Sequence, residues 1–286
     1  MGAKVRGAAM DPSERLTAMI GGAESEIHLT EAALLVASHR YPDLDVQHYL
    51  DVIGAYVDDV SNRLPSGCGA AEKVTTLNHY LFDELGFAPN DQDYYDPRNS
   101  LLNDVLERRT GIPITLSLLY MAVGKQLGLA LNGVCYPGHF LVKCVLPEGM
   151  IVLDPFSRGQ SLGIADLQNM LREAQGGEVS RAIVAGLLVR ASKREILIRM
   201  LRNLKAIYLN SRDFDDALTI MNWIVTADPE CGSEFRDRGV IYEQMDCFRA
   251  AAADFERYLE LEPGCSDSEA IRHRLVQLQR SVSRLN

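Results

Sequence analysis

Between Glu195 and Pro263 the chain repeats itself with a period of 34 residues. Leu201 is matched by Phe235, Tyr208 by Tyr242, Phe214 by Phe248, Ala217 by Ala251, Met221 by Phe255, and Asp228-Pro229 by Glu262-Pro263. A repeat of this length and pattern is one helix-turn-helix unit that cannot bury its apolar face alone, so units stack into a solenoid. The alanine sits where the two helices of a unit cross closely, and the proline breaks the chain between units. The first unit carries Lys205 where the second has the small Gly239. About three units are needed for stability. Ser268–Leu285, with Ile271, Leu275, Leu278, Val282 and Leu285 at helical spacing, is therefore read as a capping helix, and the preceding domain is expected to close the other end.

Upstream the patterning changes. Residues 1–24 are small, polar and Gly-rich, and no structure is expected there. Helical spacing runs from Ser25 to Ser38 and stops before Tyr41-Pro42, because the residue before a proline avoids the α region. Asp45 is placed to cap a second helix, and a third spans Lys73 to Leu85 before Gly86. Asp96-Pro97-Arg98-Asn99-Ser100 leads into a short helix through Leu102 and Leu106, with Asn99 or Ser100 as its cap. Pro113 suits the first position of the next helix, where its missing N–H costs nothing. From Ile114 to Leu127 that helix is apolar nearly all round, so it should be buried and form the axis of the first domain.

Three short strands follow at Leu131–Tyr136, His139–Val145 and Met150–Asp154, the last two joined through Leu146-Pro147-Glu148-Gly149. If that loop has four residues, Val145 faces Met150 and Asp154 falls opposite Leu141, on the face of His139. The two backbones are then roughly 7 Å apart along the sheet, within side-chain reach. A three-residue loop would put them on opposite faces. A helix over Ile164–Ala174, a break at Gln175-Gly176-Gly177 and a short element over Val179–Val189 complete the domain. The chain thus reads as a flexible N-terminus (1–24), an α+β domain (25–189) and the helical repeats with their cap (190–286).

Net charge is −10, and no run of five Lys/Arg relieves it, so neither nucleic acid nor membrane is expected as a partner. No window approaches 18 consecutive apolar residues. The six cysteines form no C-x-x-C pair and read as reduced thiols, which predicts a cytoplasmic protein. The six histidines form no short-spaced pair, so no metal site is expected, and no cofactor.

Several strings are long and specific: Tyr80-Leu81-Phe82-Asp83-Glu84-Leu85-Gly86-Phe87, Tyr94-Tyr95-Asp96-Pro97-Arg98-Asn99-Ser100, the run from Val105 to Ile114, and Pro137-Gly138-His139-Phe140-Leu141-Val142. In these the sequence resembles the SirB-like family of bacterial proteins. The resemblance implies a mostly helical α+β chain: a transglutaminase-like, papain-like domain with a small antiparallel sheet, then a tetratricopeptide (TPR) α-solenoid. It also implies a site built from a cysteine at the start of the central helix, with a histidine and an aspartate on the following strands. His139 and Asp154 match the last two. The cysteine position falls on or next to Pro113, and no cysteine lies between Cys68 and Cys135.

Other nucleophiles can be weighed. Thr115 or Ser117 could offer a hydroxyl at the helix start, although Thr115 also fits a helix-start role. Cys68 could reach the site from its loop, or be an inert thiol. Asp96, Arg98, Asn99 and Glu107 form a dense polar cluster. It reads either as capping chemistry alone or as a buried network in which Arg98 pairs with Asp96, Glu107 or Asp154. Tyr95 and Phe156 join them as candidate binding residues.

The expected function is therefore a non-catalytic interaction or regulatory protein. It would carry a remnant His139–Asp154 pair and a TPR groove for a protein or peptide partner. The alternative is a hydrolase or acyltransferase on amide or thioester bonds, with His139 as base and an unrecognised nucleophile. A third reading is a pocket that binds a ligand without turnover.

Overall fold

The computed structural model describes residues 10–90, 92–146 and 149–284. The chain divides into two compact units, Met1–Met200 and Leu201–Asn286.

In the first unit α1 (Pro12–Gly21) is capped by Asp11, which accepts from the N–H groups of Ser13 and Glu14. Leu16 and Ile20, four residues apart, are fully buried. The expectation of no structure in 1–24 is corrected over Pro12–Gly21, residues 1–9 lying outside the described residues: a capped turn with two apolar residues on one face suffices to anchor a helix in an otherwise polar stretch. α2 (Leu29–Val36) and α3 (Val46–Ser61) follow, with Asp45 accepting from the His48 N–H at 3.1 Å as expected. α4 (Ala70–Asn78) continues into a π-helical segment, His79–Glu84, and Gly86 ends it at φ +74°.

β1 (Ala88–Pro89) pairs in parallel with β2 (Thr110–Gly111), and α5 (Leu102–Arg108) lies between them in sequence. Neither Asn99 nor Ser100 caps α5. Leu101 holds that position without a side-chain bond, because Asn99 is engaged elsewhere. α6 (Pro113–Gln126) starts on its proline and is buried at every position from Pro113 to Gly124. Over that span its apolar circumference leaves no face for water, and only its last residues, Lys125 and Gln126, are exposed.

The sheet is antiparallel in the order β3 (Leu131–Val134), β4 (Leu141–Leu146), β5 (Gly149–Asp154), β6 (Gln160–Leu162). Val145 lies opposite Met150 and Leu146 opposite Gly149. The parity is that of the four-residue reading, with one further pair; Pro147 and Glu148 fall outside the described residues. The strand β6 is an addition to the three expected. α7 (Ile164–Gln175) and α8 (Arg181–Leu187) cover one face, where Val134, Leu141 and Val152 meet Leu167, Leu171, Val184 and Leu188. α6 packs against β3 and β4.

α9 (Lys193–Ser211) carries the chain into the second unit, which continues as α10 (Phe214–Ala227), α11 (Gly232–Gln244), α12 (Phe248–Leu261) and α13 (Ser268–Arg284). α10 and α12 start and end 34 residues apart, as the repeat requires. Ile271 and Leu278 of α13 pack on Ala251, Phe255 and Tyr258, so α13 covers α12. Gly239 is small for a reason: a Cβ there would lie 2.8 Å from the Phe255 ring. Lys205, at the matching position of the first unit, instead sends its ammonium to Glu234 (2.6 Å) and Asp237 (2.8 Å). Among the described residues no helix is long and apolar enough to cross a membrane.

Candidate functional site

β4 begins at Leu141, so His139 is not a strand residue. It sits in the preceding turn, where its N–H donates to Tyr136 O at 3.1 Å. The pairing that sets Val142 opposite Leu153 brings the end of β5 alongside this turn. His139 Nε2 lies 2.9 Å from Asp154 Oδ1, and the two side chains are 15% and 5% exposed. Asp154 also accepts from the Phe156 N–H (3.0 Å) and the Ser157 hydroxyl (2.8 Å). Burial alone would raise this carboxyl. The hydrogen bond and charge of His139, with Ser157 and Phe156, outweigh it and hold Asp154 below the usual carboxylate range. The Phe156 ring stands edge-on to the imidazole at 5.7 Å.

With Nε2 turned to the carboxylate, Nδ1 is the nitrogen a reacting group would have to meet. The turn itself is fixed from α9: Arg199 Nη2 donates to the carbonyls of His139 (2.7 Å) and Tyr136 (3.1 Å). Sequence reasoning missed Arg199, since nothing local marks a contact 60 residues away. Ser157 was missed as well, although it carries a local signal: a serine three residues after an aspartate, with proline between, fits a capping turn.

The short helix Pro155–Ser157 packs against α6 and β1, and β2, the partner of β1, runs directly into α6. At that helix start the Thr115 hydroxyl is fully buried. It donates to Asn99 O at 2.8 Å and accepts from the Ile112 N–H at 3.1 Å. Ser117 is buried as well. Among the described residues no hydrogen bond joins His139 or Asp154 to a side chain of α6 or to Cys68. Cys68 lies in the turn between α3 and α4. Burial pushes the Cys135 thiol up, against the opposing pull of Arg199.

The polar cluster forms a network, with partners only partly as expected. Arg98 forks onto Asp96 (2.7–3.0 Å), and Arg108 adds a second cation at 3.3 Å. Burial raises Asp96, but these arginines override it and lower its carboxyl. Glu107 does not meet Arg98; it accepts from the Tyr49 hydroxyl, while Tyr41 donates to the buried Asp104 at 3.0 Å. Burial pushes the Asp104 carboxyl up. Asn99, wholly buried, is the hub of the segment before it. Its Oδ1 accepts from Asn90 (3.1 Å) and Arg108 (3.3 Å), and its Nδ2 donates to the carbonyls of Asp93 (2.7 Å) and Tyr94 (3.3 Å). Tyr95 is 66% exposed and meets Tyr94 edge-on at 5.4 Å. Asp96, Asn99 and Arg98 are thus gathered together, whereas Asp154 belongs to a separate pair with His139.

The transglutaminase-like superfamily matches residues 47–202, which hold the whole His139–Asp154 arrangement and the helix facing it. The chain belongs to that superfamily. Tetratricopeptide repeats match residues 204–276, the second unit. This transglutaminase-like protein is 38% identical to a UPF0162 protein of Xylella fastidiosa over 89% of its own length and 91% of the relative's. It is 31% identical to a UPF0162 protein of Pseudomonas aeruginosa over 90% and 93%. A shorter region, 47% of this chain and 21% of the other, is 33% identical to the human F-box only protein 21. No solved structure matches.

Proposed function

We propose that this transglutaminase-like protein is a non-catalytic, cytoplasmic interaction protein whose repeats dock a protein or peptide partner. The observation that carries this reading is the start of α6, which offers Ile112 and Pro113 where the superfamily's thiol is expected. The Thr115 hydroxyl nearby is committed to Asn99 O and the Ile112 N–H. A triad without its nucleophile retains only the small residual catalysis of binding and polarisation. A thiol-directed activity probe on the full chain and on His139→Ala tests it. Labelling that ignores His139 is expected; His139-dependent labelling of Cys68 would sink the reading. For the partner, affinity capture with the full chain should lose its protein when residues 201–286 are removed.

The His139–Asp154 contact at 2.9 Å favours one second reading, a hydrolase or acyltransferase on amide or thioester bonds with His139 as base. It requires a nucleophile brought to Nδ1; the same probe would reveal a thiol there, and a serine-directed phosphonate probe a hydroxyl.

A further inference from the structure

A cavity of about 360 Å³ opens between α2, α3, α6 and the start of α9, within the size range of small-molecule sites, and shares no lining residue with the His139 pair. Its apolar walls include Leu29, Leu50, Leu118 and Met121. Its charged lining is mostly cationic. Lys125 and Lys193 both border it, and Arg190 is close enough to repel Lys125. Desolvation, Arg190 and Lys193 together hold the Lys125 ammonium below the usual lysine range.

Lys193 Nζ donates to Ile27 O at 2.6 Å, and Glu31, the carboxylate of the lining, is paired with Arg15. Among the described residues no carboxylate lies within ion-pair distance of Lys125. In a chain of net charge −10, like charges gathered around an apolar hollow, Lys125 among them without a carboxylate partner, form a site complementary to an anion. The first turn of α2, Leu29 to Glu31, also lines the cavity and has no side-chain cap, so its dipole adds to the positive potential.

We propose that this cavity binds a small anionic amphiphile, a carboxylic acid with a hydrocarbon tail, its head on Lys125 and Lys193 and its tail over Leu50, Leu118 and Met121. Calorimetric titration of the full chain with decanoate tests this, with acetate and decan-1-ol as the head-only and tail-only controls. Decanoate should bind saturably and each control at least about tenfold more weakly, because the site reads both ends. Lys125 is solvent-accessible, so Lys125→Gln should fold, as circular dichroism would verify, and lose about tenfold in decanoate affinity. Lys125→Arg should recover most of it. Equal binding of decanoate and decan-1-ol, unchanged affinity in Lys125→Gln, or no binding of decanoate at all would overturn the proposal. Lys125-dependent self-association without decanoate binding would overturn it too, by giving the cavity to a second copy of the chain.

Discussion

Replacing Asp154 by asparagine isolates the charge of the His139 pair from its shape. The carboxylate is 5% exposed and accepts three hydrogen bonds, from His139 (2.9 Å), Phe156 (3.0 Å) and Ser157 (2.8 Å). Bonds to a charged acceptor contribute about 1.5–3 kcal/mol each, neutral ones about 0.5–1.5. In Asp154→Asn the amide oxygen can keep His139 and Phe156, and the Ser157 hydroxyl can turn to accept from the new NH₂ group. The three bonds therefore survive in weakened form, while the desolvation cost of the buried charge disappears. The net loss should be about 2 kcal/mol, or a Tm lower by about 4–8 °C for a unit of this size.

The pH dependence gives a sharper signature. The folded-state carboxyl is held below its ordinary value, so its contribution is full above the unfolded pKa of about 3.9 and is lost as pH falls through the folded value. The stability gap between wild type and Asp154→Asn should thus be complete at pH 7 and close below about pH 4. Urea denaturation followed by far-ultraviolet circular dichroism measures it, and hydrogen exchange of Leu141–Leu146 and Gly149–Asp154 localises it. A gap under about 0.5 kcal/mol at pH 7, or one that persists unchanged to pH 2.5, would refute the reasoning.

Two further substitutions test how neighbouring parts are held. A Cβ on Gly159 would meet the Asn78 amide at 2.3–2.6 Å, and the residue sits at φ +74°; Gly159→Ala should therefore cost about 2–4 kcal/mol in thermal unfolding, through crowding and backbone strain together. Glu234 is 5% exposed and receives both Arg202 (2.7 Å) and Lys205 (2.6 Å), so Glu234→Ala should destabilise the second unit by about 3 kcal/mol. The sole tryptophan, Trp223, is buried in that unit and its fluorescence reports the transition.

Much of this was open to sequence reading because it rests on period and parity. The 34-residue spacing set the lengths of α10 and α12, and the all-apolar run set the burial of α6. The hairpin parity brought His139 and Asp154 together even though His139 itself lies just outside the strand. What escaped was either too short or too distant. α1 rests on two apolar residues in a polar stretch and β6 on three residues, neither enough to show a period. Glu107 turning to Tyr49 and Arg199 reaching the His139 carbonyl are contacts across 58 and 60 residues. Side-chain charge suggests that such groups will find partners without saying which. Asn99 was read as a cap because asparagine before a helix often is one. The buried amide instead closes the loop behind it, where four bonds outweigh one.

That closure has a consequence for the tyrosines beside it. Loops that carry exposed aromatic rings are usually mobile, and a visitor must freeze them on arrival. Here the carbonyls of Asp93 and Tyr94 accept from Asn99 Nδ2, so the backbone leading to the exposed Tyr95 is tied to a buried amide. A partner settling on those rings would find that backbone already bonded, and less of its contact energy would be consumed in ordering the loop.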